Sequence, residues 1–206
     1  MSFKILNINR HRMFIDGKGI NTLVALNSCP LNCKYCLNKQ IIKKNDYKES
    51  SIEELLDYVI IDYCYFIATG GGVTFGGGEP LLQSEEIHKF RKILPKEVPI
   101  NIETSLNISI ESLKEVLEDV DLFIIDIKSL NKKIYKEYTG KDISNLLQNL
   151  EYLKKQNLQD KCIIRIPIIE NFTSFEDVNE TINLINNLGF KNLDIFEYII
   201  KDEDKD

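Results

Sequence analysis

Six short β-prone runs, most of them separated by a stretch of helical periodicity, recur along the 206-residue chain and leave few folds open. They span Thr22 to Asn27, Gly72 to Phe75, Val98 to Thr104, Asp121 to Lys128, Cys162 to Ile169 and Leu193 to Ile200. Each reads as a strand because β-branched and aromatic residues are concentrated between polar or glycine punctuation. In the first long connection, Ile52, Leu55, Leu56, Val59, Ile60 and Tyr63 fall on one helical stripe. That stripe is entered through Ser50 and Ser51, each with an acidic residue three positions later, as in a capping box. Ser84 to Leu94, Ile110 to Leu117, Asp142 to Gln156 and Ser174 to Leu188 read as further helices, the last stopped by Gly189. Strands that alternate with helices specify an α/β fold with a parallel sheet and right-handed crossovers. An open doubly wound sheet and an incomplete barrel both satisfy the rhythm. In either, ligands gather at the carboxyl ends of the strands.

The composition, 43% hydrophobic and 28% charged, supports one domain over residues 1–200 with a sizeable core. Residues 201–206 alternate lysine with acids and read as a solvated charged tail. A net charge of -6 argues against nucleic-acid binding, which shows a basic footprint. No apolar run is long enough to span a membrane. Reduced thiols and an N-terminus without the apolar core of a signal peptide point to the cytoplasm.

The polar residues of interest fall at the ends of these strands. After the first come Cys29, Cys33 and Cys36, spaced C-x3-C-x2-C. Iron–sulfur clusters are ordinarily held by four cysteines, so three suggest a cubane with one iron left open. A structural zinc site wants four ligands, and the remaining candidates, Cys64, Cys162, His11 and His88, form no second tight pair. A disulfide framework wants an even count in a secreted chain, and there are five cysteines here. The cluster is therefore preferred over zinc. Cys64 and Cys162 read as buried structural thiols, and His88 as a surface residue. After the second strand, Gly76-Gly77-Gly78-Glu79-Pro80 exceeds what a turn needs and places a carboxylate beside approachable main chain. Asp126 and Lys128, two apart on one strand, share a face and interrupt an apolar run.

These motifs resemble the radical S-adenosylmethionine (SAM) superfamily, in which an aromatic residue, here Tyr35, precedes the last cysteine and Gly-Gly-Glu follows the second strand. The chain is similar, more narrowly, to glycyl-radical-enzyme activases of the pyruvate formate-lyase activating type without a ferredoxin-like insertion. The similarity runs over about residues 13 to 199, through Asp16-Gly17-Lys18-Gly19-Ile20, Gly77 to Gln83, Asp126-Ile127-Lys128, Tyr138-Thr139-Gly140 and Arg165. The resemblance implies an incomplete (β/α)6 barrel of about six parallel strands. It implies one [4Fe–4S] cluster on Cys29, Cys33 and Cys36, with SAM chelating the fourth iron. Tyr35, Asn38, Gly77, Gly78, Glu79, Asp126, Lys128 and Arg165 would surround SAM, Glu79 holding the methionyl amine, and a monovalent cation would sit near Glu103 and Thr104. The implied activity is anaerobic: SAM is cleaved to a 5′-deoxyadenosyl radical that installs a glycyl radical on a partner enzyme. A flavodoxin or ferredoxin-type protein would donate the electron.

The departures feed other readings. Lys18 and Asn21 replace a proline and an arginine of the family's entry motif, Ser105-Leu106 departs from its text, and Ile199 stands where it carries histidine. They leave room for a radical enzyme that acts on a small molecule or a ribosomal peptide. A non-catalytic iron–sulfur or zinc module is the remaining alternative, and the Gly-Gly-Glu turn and the Asp126–Lys128 pair argue against it.

Overall fold

A computed structural model describes residues 1–200; the charged tail expected over 201–206 lies outside the described residues. The six expected strands form as β2 (Ile20–Leu26), β4 (Val73–Gly77), β5 (Ile100–Thr104), β6 (Leu122–Asp126), β7 (Cys162–Ile168) and β8 (Leu193–Glu197). They pair in parallel and in that order. The order never reverses, so the sheet has no switch point of the doubly wound kind. Right-handed crossovers that all advance in one direction put their helices on one face. The sheet is that of an incomplete barrel.

Two further strands were not legible as strands. β1 (Ser2–Met13) lies antiparallel to β2, and β3 (Lys48–Ser51) antiparallel to β1, giving an eight-stranded sheet in the order β3-β1-β2-β4-β5-β6-β7-β8. In β1 only Phe3 and Ile5 are buried, and its outer half is mostly Asn, Arg and His, so the alternation that marks a strand is faint. Two helices were likewise unread, α1 (Lys39–Lys44) and α6 (Lys132–Thr139). α6 is bounded by a side-chain cap from Asn131 and by Gly140 at φ +71°.

The helix expected over 52–63 is real at its start and broken at its end. Ser51 and Glu54 form a capping box on α2 (Ile52–Val59), after which the chain tightens into a 3₁₀ turn (Ile60–Asp62) before α3 (Tyr63–Thr69). The fully buried Asp62 accepts hydrogen bonds from Thr22 Oγ1 at 2.7 Å and Arg10 Nε at 2.9 Å, and meets His11 Nε2 at 2.9 Å. This change of phase turns Cys64 outward while Phe66 is buried, so Cys64 is an exposed thiol rather than the buried one expected. Cys162 is buried as expected. His88 is only part-exposed, its Nδ1 2.6 Å from Asp119.

The remaining crossovers are α4 (Ser84–Ile93), α5 (Ile110–Val116), α7 (Ser144–Lys155) and α8 (Phe175–Asn187). The core lies between these helices and the sheet, where Phe123, Ile125, Ile102 and Ile164 are fully buried. Complete burial of such a side chain stabilises by roughly 1.5–3 kcal/mol. The alternate residues of the same strands face the concave side. There Leu122 and Ile124 line one cavity and Asp126 another. Among the described residues no helix is long and apolar enough to cross a membrane.

Candidate active site

The cysteine loop leaves the carboxyl end of β2 and is fastened on several sides. Main-chain N–H groups of Asn32 and Lys34 donate to the carbonyls of Thr139 (2.9 Å) and Tyr138 (3.0 Å) at the end of α6. The Tyr35 ring packs edge-on against Tyr138 and Phe172, with centroids 6.1 and 5.7 Å away. Tyr198, just beyond β8, donates its hydroxyl to the Tyr35 carbonyl at 2.8 Å. Past the last cysteine, Asn38 Nδ2 donates to the Gly77 carbonyl at 2.8 Å.

The glycine turn after β4 abuts the start of this loop. Gly78 N donates to Leu26 O (2.9 Å) and Glu79 N to Ser28 O (2.8 Å). Gly77 takes φ +88°, and a Cβ on Gly78 would overlap the Ser28 carbonyl oxygen, so both positions require glycine.

A cavity of about 280 Å³ opens where these segments meet the ends of β5 to β8. Cys29, Cys33 and Cys36 line it together with Asn38, Gly77, Gly78, Asp126, Lys128 and Arg165. Burial pushes the Cys29 thiol up to about 12 and the Cys33 thiol to about 11, with Lys128 favouring the Cys33 thiolate. Among the described residues, no three His, Cys, Asp or Glu side chains are gathered tightly enough to share one metal ion.

Lys128 Nζ donates to Asp126 Oδ2 at 2.9 Å. Burial opposes the Lys128 charge, but Asp126 and Cys33 outweigh it and hold the ammonium above its usual range. The other oxygen, Asp126 Oδ1, is buried without a hydrogen-bond partner. An unmet buried acceptor at a cavity wall fits a ligand hydroxyl.

Two expected site residues stand behind the wall. Glu79 is fully buried and accepts from Thr104 Oγ1 (2.7 Å), Ser105 Oγ (2.6 Å), Ser105 N (2.9 Å) and Leu81 N (3.3 Å). Burial raises its pKa despite these donors. Its carboxylate braces the glycine turn and does not line the cavity. Tyr35 likewise turns its ring to Tyr138 and Phe172.

At the floor of the cavity, Arg165 Nη1 lies 3.4 Å from Glu103 Oε1, and its guanidinium stacks 5.0 Å from the Phe196 ring centroid. Its Nε is 3.3 Å from Asp194 Oδ2 without hydrogen-bond alignment. Burial and the nearby Asp16 push Glu103 up to about 7, against the pull of Arg165. Thr104 Oγ1 accepts from Leu106 N at 2.8 Å while donating to Glu79. Arg165 thus places a positive charge beside Glu103, where a monovalent cation was expected. Tyr138, Phe196 and Tyr198 line the cavity without having been singled out as site residues. Their signal in the sequence was faint: Tyr138 belongs to the Tyr-Thr-Gly run, and Tyr198 to the divergent segment before Ile199.

A family model for the Radical SAM superfamily matches residues 23–195. The chain is 34% identical over 178 residues to the pyruvate formate-lyase-activating enzyme of Clostridium pasteurianum, covering 84% of this chain and 73% of that protein. It is 32% identical over 253 residues to the (2S)-3-sulfopropanediol dehydratase activating enzyme of Klebsiella oxytoca, covering 91% and 78%. That alignment is longer than the 206-residue chain, so this relative carries insertions. Among solved structures, SuiB of Streptococcus suis superposes with a TM-score of 0.66 at 14% identity over 87% of this chain and 40% of its own. His-tagged anSMEcpe with bound AdoMet gives 0.62 at 19% over 84% and 49%. The chain spans less than half of either solved protein, and the likeness to them is one of fold. Fold, cysteine loop and family match agree: the chain belongs to the Radical SAM superfamily.

Proposed function

We propose that this protein is an activating enzyme that installs a glycyl radical on a partner enzyme, using a [4Fe–4S] cluster on Cys29, Cys33 and Cys36 and SAM at the fourth iron. The reading is carried by one observation: three cysteines, the glycine main chain, an unmet Asp126 oxygen and a charged Lys128 converge on one cavity. Relatives at 34% and 32% identity are both named activating enzymes, of a lyase and of a dehydratase, which supports a protein substrate. When bound, cluster and SAM supply one-electron cleavage of a carbon–sulfur bond, giving a 5′-deoxyadenosyl radical able to abstract hydrogen from a glycine Cα.

The chain's own residues bind and orient. Asp126 Oδ1 accepts from a ribose hydroxyl, and Lys128 offers its ammonium to the methionyl carboxylate, with Asp126 holding it in place. Gly77 and Gly78 present main chain to the methionyl amine, and Glu79 braces them from behind. Asn38 ties the glycine turn to the loop, Tyr35 anchors the loop on aromatic rings, and Arg165 lines the floor. The monovalent cation has no part in this reading, because Arg165 faces Glu103 and the Thr104 hydroxyl is engaged twice. A flavodoxin or ferredoxin-type protein supplies the electron.

The test is anaerobic reconstitution followed by reduction with dithionite. Adding SAM should change the electron paramagnetic resonance signal of the cluster and yield 5′-deoxyadenosine. A candidate partner carrying the target glycine should then acquire a glycyl doublet. An unchanged cluster signal refutes the open iron, and 5′-deoxyadenosine without a doublet on any candidate favours a small-molecule substrate.

A further inference from the structure

The concave face holds a second and larger cavity, of about 440 Å³, toward the amino ends of the strands. Six apolar side chains line it: Phe14 and Ile15 from the β1–β2 hairpin, Leu122 and Ile124 from β6, Ile163 from β7 and Leu193 from β8. Arg165 lines both cavities and is the partition between them. Ile163 and Arg165 point to the same side of β7 about 6.6 Å apart along the strand, a step that two residues of extended polypeptide also span.

The mouth of this cavity is apolar and strained. Phe14 is 77% exposed and Ile15 59%. Phe14 also takes φ +56°, the left-handed region that bulky residues avoid, in a turn closed by its N–H on Gly19 O at 2.9 Å. Glycine would make that turn with less strain, and an exposed ring adds nothing to the core. Strained, exposed aromatics at a cavity rim are features of function. Beside the mouth runs β8, which among the described residues pairs only with β7. A free edge admits an extended chain.

We propose that the lower cavity is a subsite for an uncharged, apolar side chain of the partner polypeptide, two residues from the glycine presented in the upper cavity. This rests on the activating-enzyme reading, since a target glycine must bring its neighbours with it. Arg165, which lines both cavities, assigns the lower one to the same substrate, and because its two charged lining residues, Arg165 and Asp194, face each other at 3.3 Å, the remaining apolar side chains favour an uncharged group.

The probes are two fluorescein-labelled peptides, Ser-Val-Ala-Gly-Ala-Val-Ser and the same sequence with both valines replaced by aspartate, titrated by anisotropy into reconstituted full-length protein with SAM. The valine peptide should bind at least tenfold more tightly. Phe14→Gly should weaken it at least fivefold while leaving the melting temperature equal or higher, a combination that a purely structural role would not give. Ile163→Trp, which fills the cavity, should erase the preference. Equal affinity of the two peptides, no binding of either below millimolar concentration, or unchanged affinity in Phe14→Gly overturns the subsite. So does a dimer in sedimentation that Phe14→Gly dissociates, since a second copy would then cover the mouth. A SAM-induced change in the cluster signal that persists through such a failure leaves the activating-enzyme reading standing; loss of that change refutes the reading itself.

Discussion

The upper and lower halves of the concave face are made by the same strands and have opposite chemistry. On β6, Asp126 faces the upper cavity and Ile124 and Leu122 the lower; on β7, Arg165 marks the boundary above Ile163. Every charge brought into the upper half has a counterpart: Lys128 for Asp126, Arg165 for Glu103, and four donors for Glu79. In the lower half the two charged lining residues, Arg165 and Asp194, face each other at 3.3 Å, and most of the remaining wall is apolar. A shift of two residues along a strand therefore changes what a cavity asks of its neighbours, from matched partners to matched shape.

The largest test of that contrast is Glu79→Ala. It strips Leu81 N, Thr104 Oγ1, Ser105 N and Ser105 Oγ of their acceptor, and each unmet donor costs about 1–3 kcal/mol. Urea unfolding should show a loss of at least about 3 kcal/mol, and SAM affinity should fall while iron content stays near that of the parent. A loss below about 1 kcal/mol would mean that the turn is held by its backbone alone.

Glu103 tests the boundary. Its pKa rises from 4.5 to about 7 on folding, through burial and the nearby Asp16 and Asp126, opposed by Arg165 and Arg12. The folded chain keeps this proton while the unfolded chain loses it, so the residue lowers stability as pH rises from about 4.5 to about 7. Below that window it contributes nothing. Glu103→Gln should flatten the decline by an amount on the order of 1–3 kcal/mol between pH 5 and 8. A variant less stable than the parent at pH 8 would show that the ion pair with Arg165 outweighs the burial.

The smallest effect is expected for Tyr198→Phe, which removes the bond to the Tyr35 carbonyl and the contact of the hydroxyl with Tyr138. About 1 kcal/mol of stability should be lost, and in the reconstituted protein the absorbance of the proposed cluster should bleach faster in air. Unaltered bleaching would place the hold on the loop in α6 and the aromatic rings instead.

The parallel strands were legible because each is rich in β-branched or aromatic residues between clear stops, and the cysteines, Gly77-Gly78 and Asp126–Lys128 because their chemistry is local in sequence. β1 was not, since a polar strand near the sheet's margin buries little and carries little period. Cys64 went astray because one buried aspartate, Asp62, rephases its helix through contacts with residues 10, 11 and 22. The placement of Glu79 was hidden in the same way. Its four donors lie in part on residues 104 and 105, and only folding reveals that they consume the carboxylate. The lower cavity, drawn from residues 14 to 194, has no sequence signature at all.

The hydroxyl of Tyr198 and the carbonyl of Tyr35 are 163 positions apart. A ribosome delivers the cysteine segment well before the tyrosine that latches it. Synthesis and closure thus run in opposite order: the loop made early stays without this last fastening until almost all of the described chain has emerged.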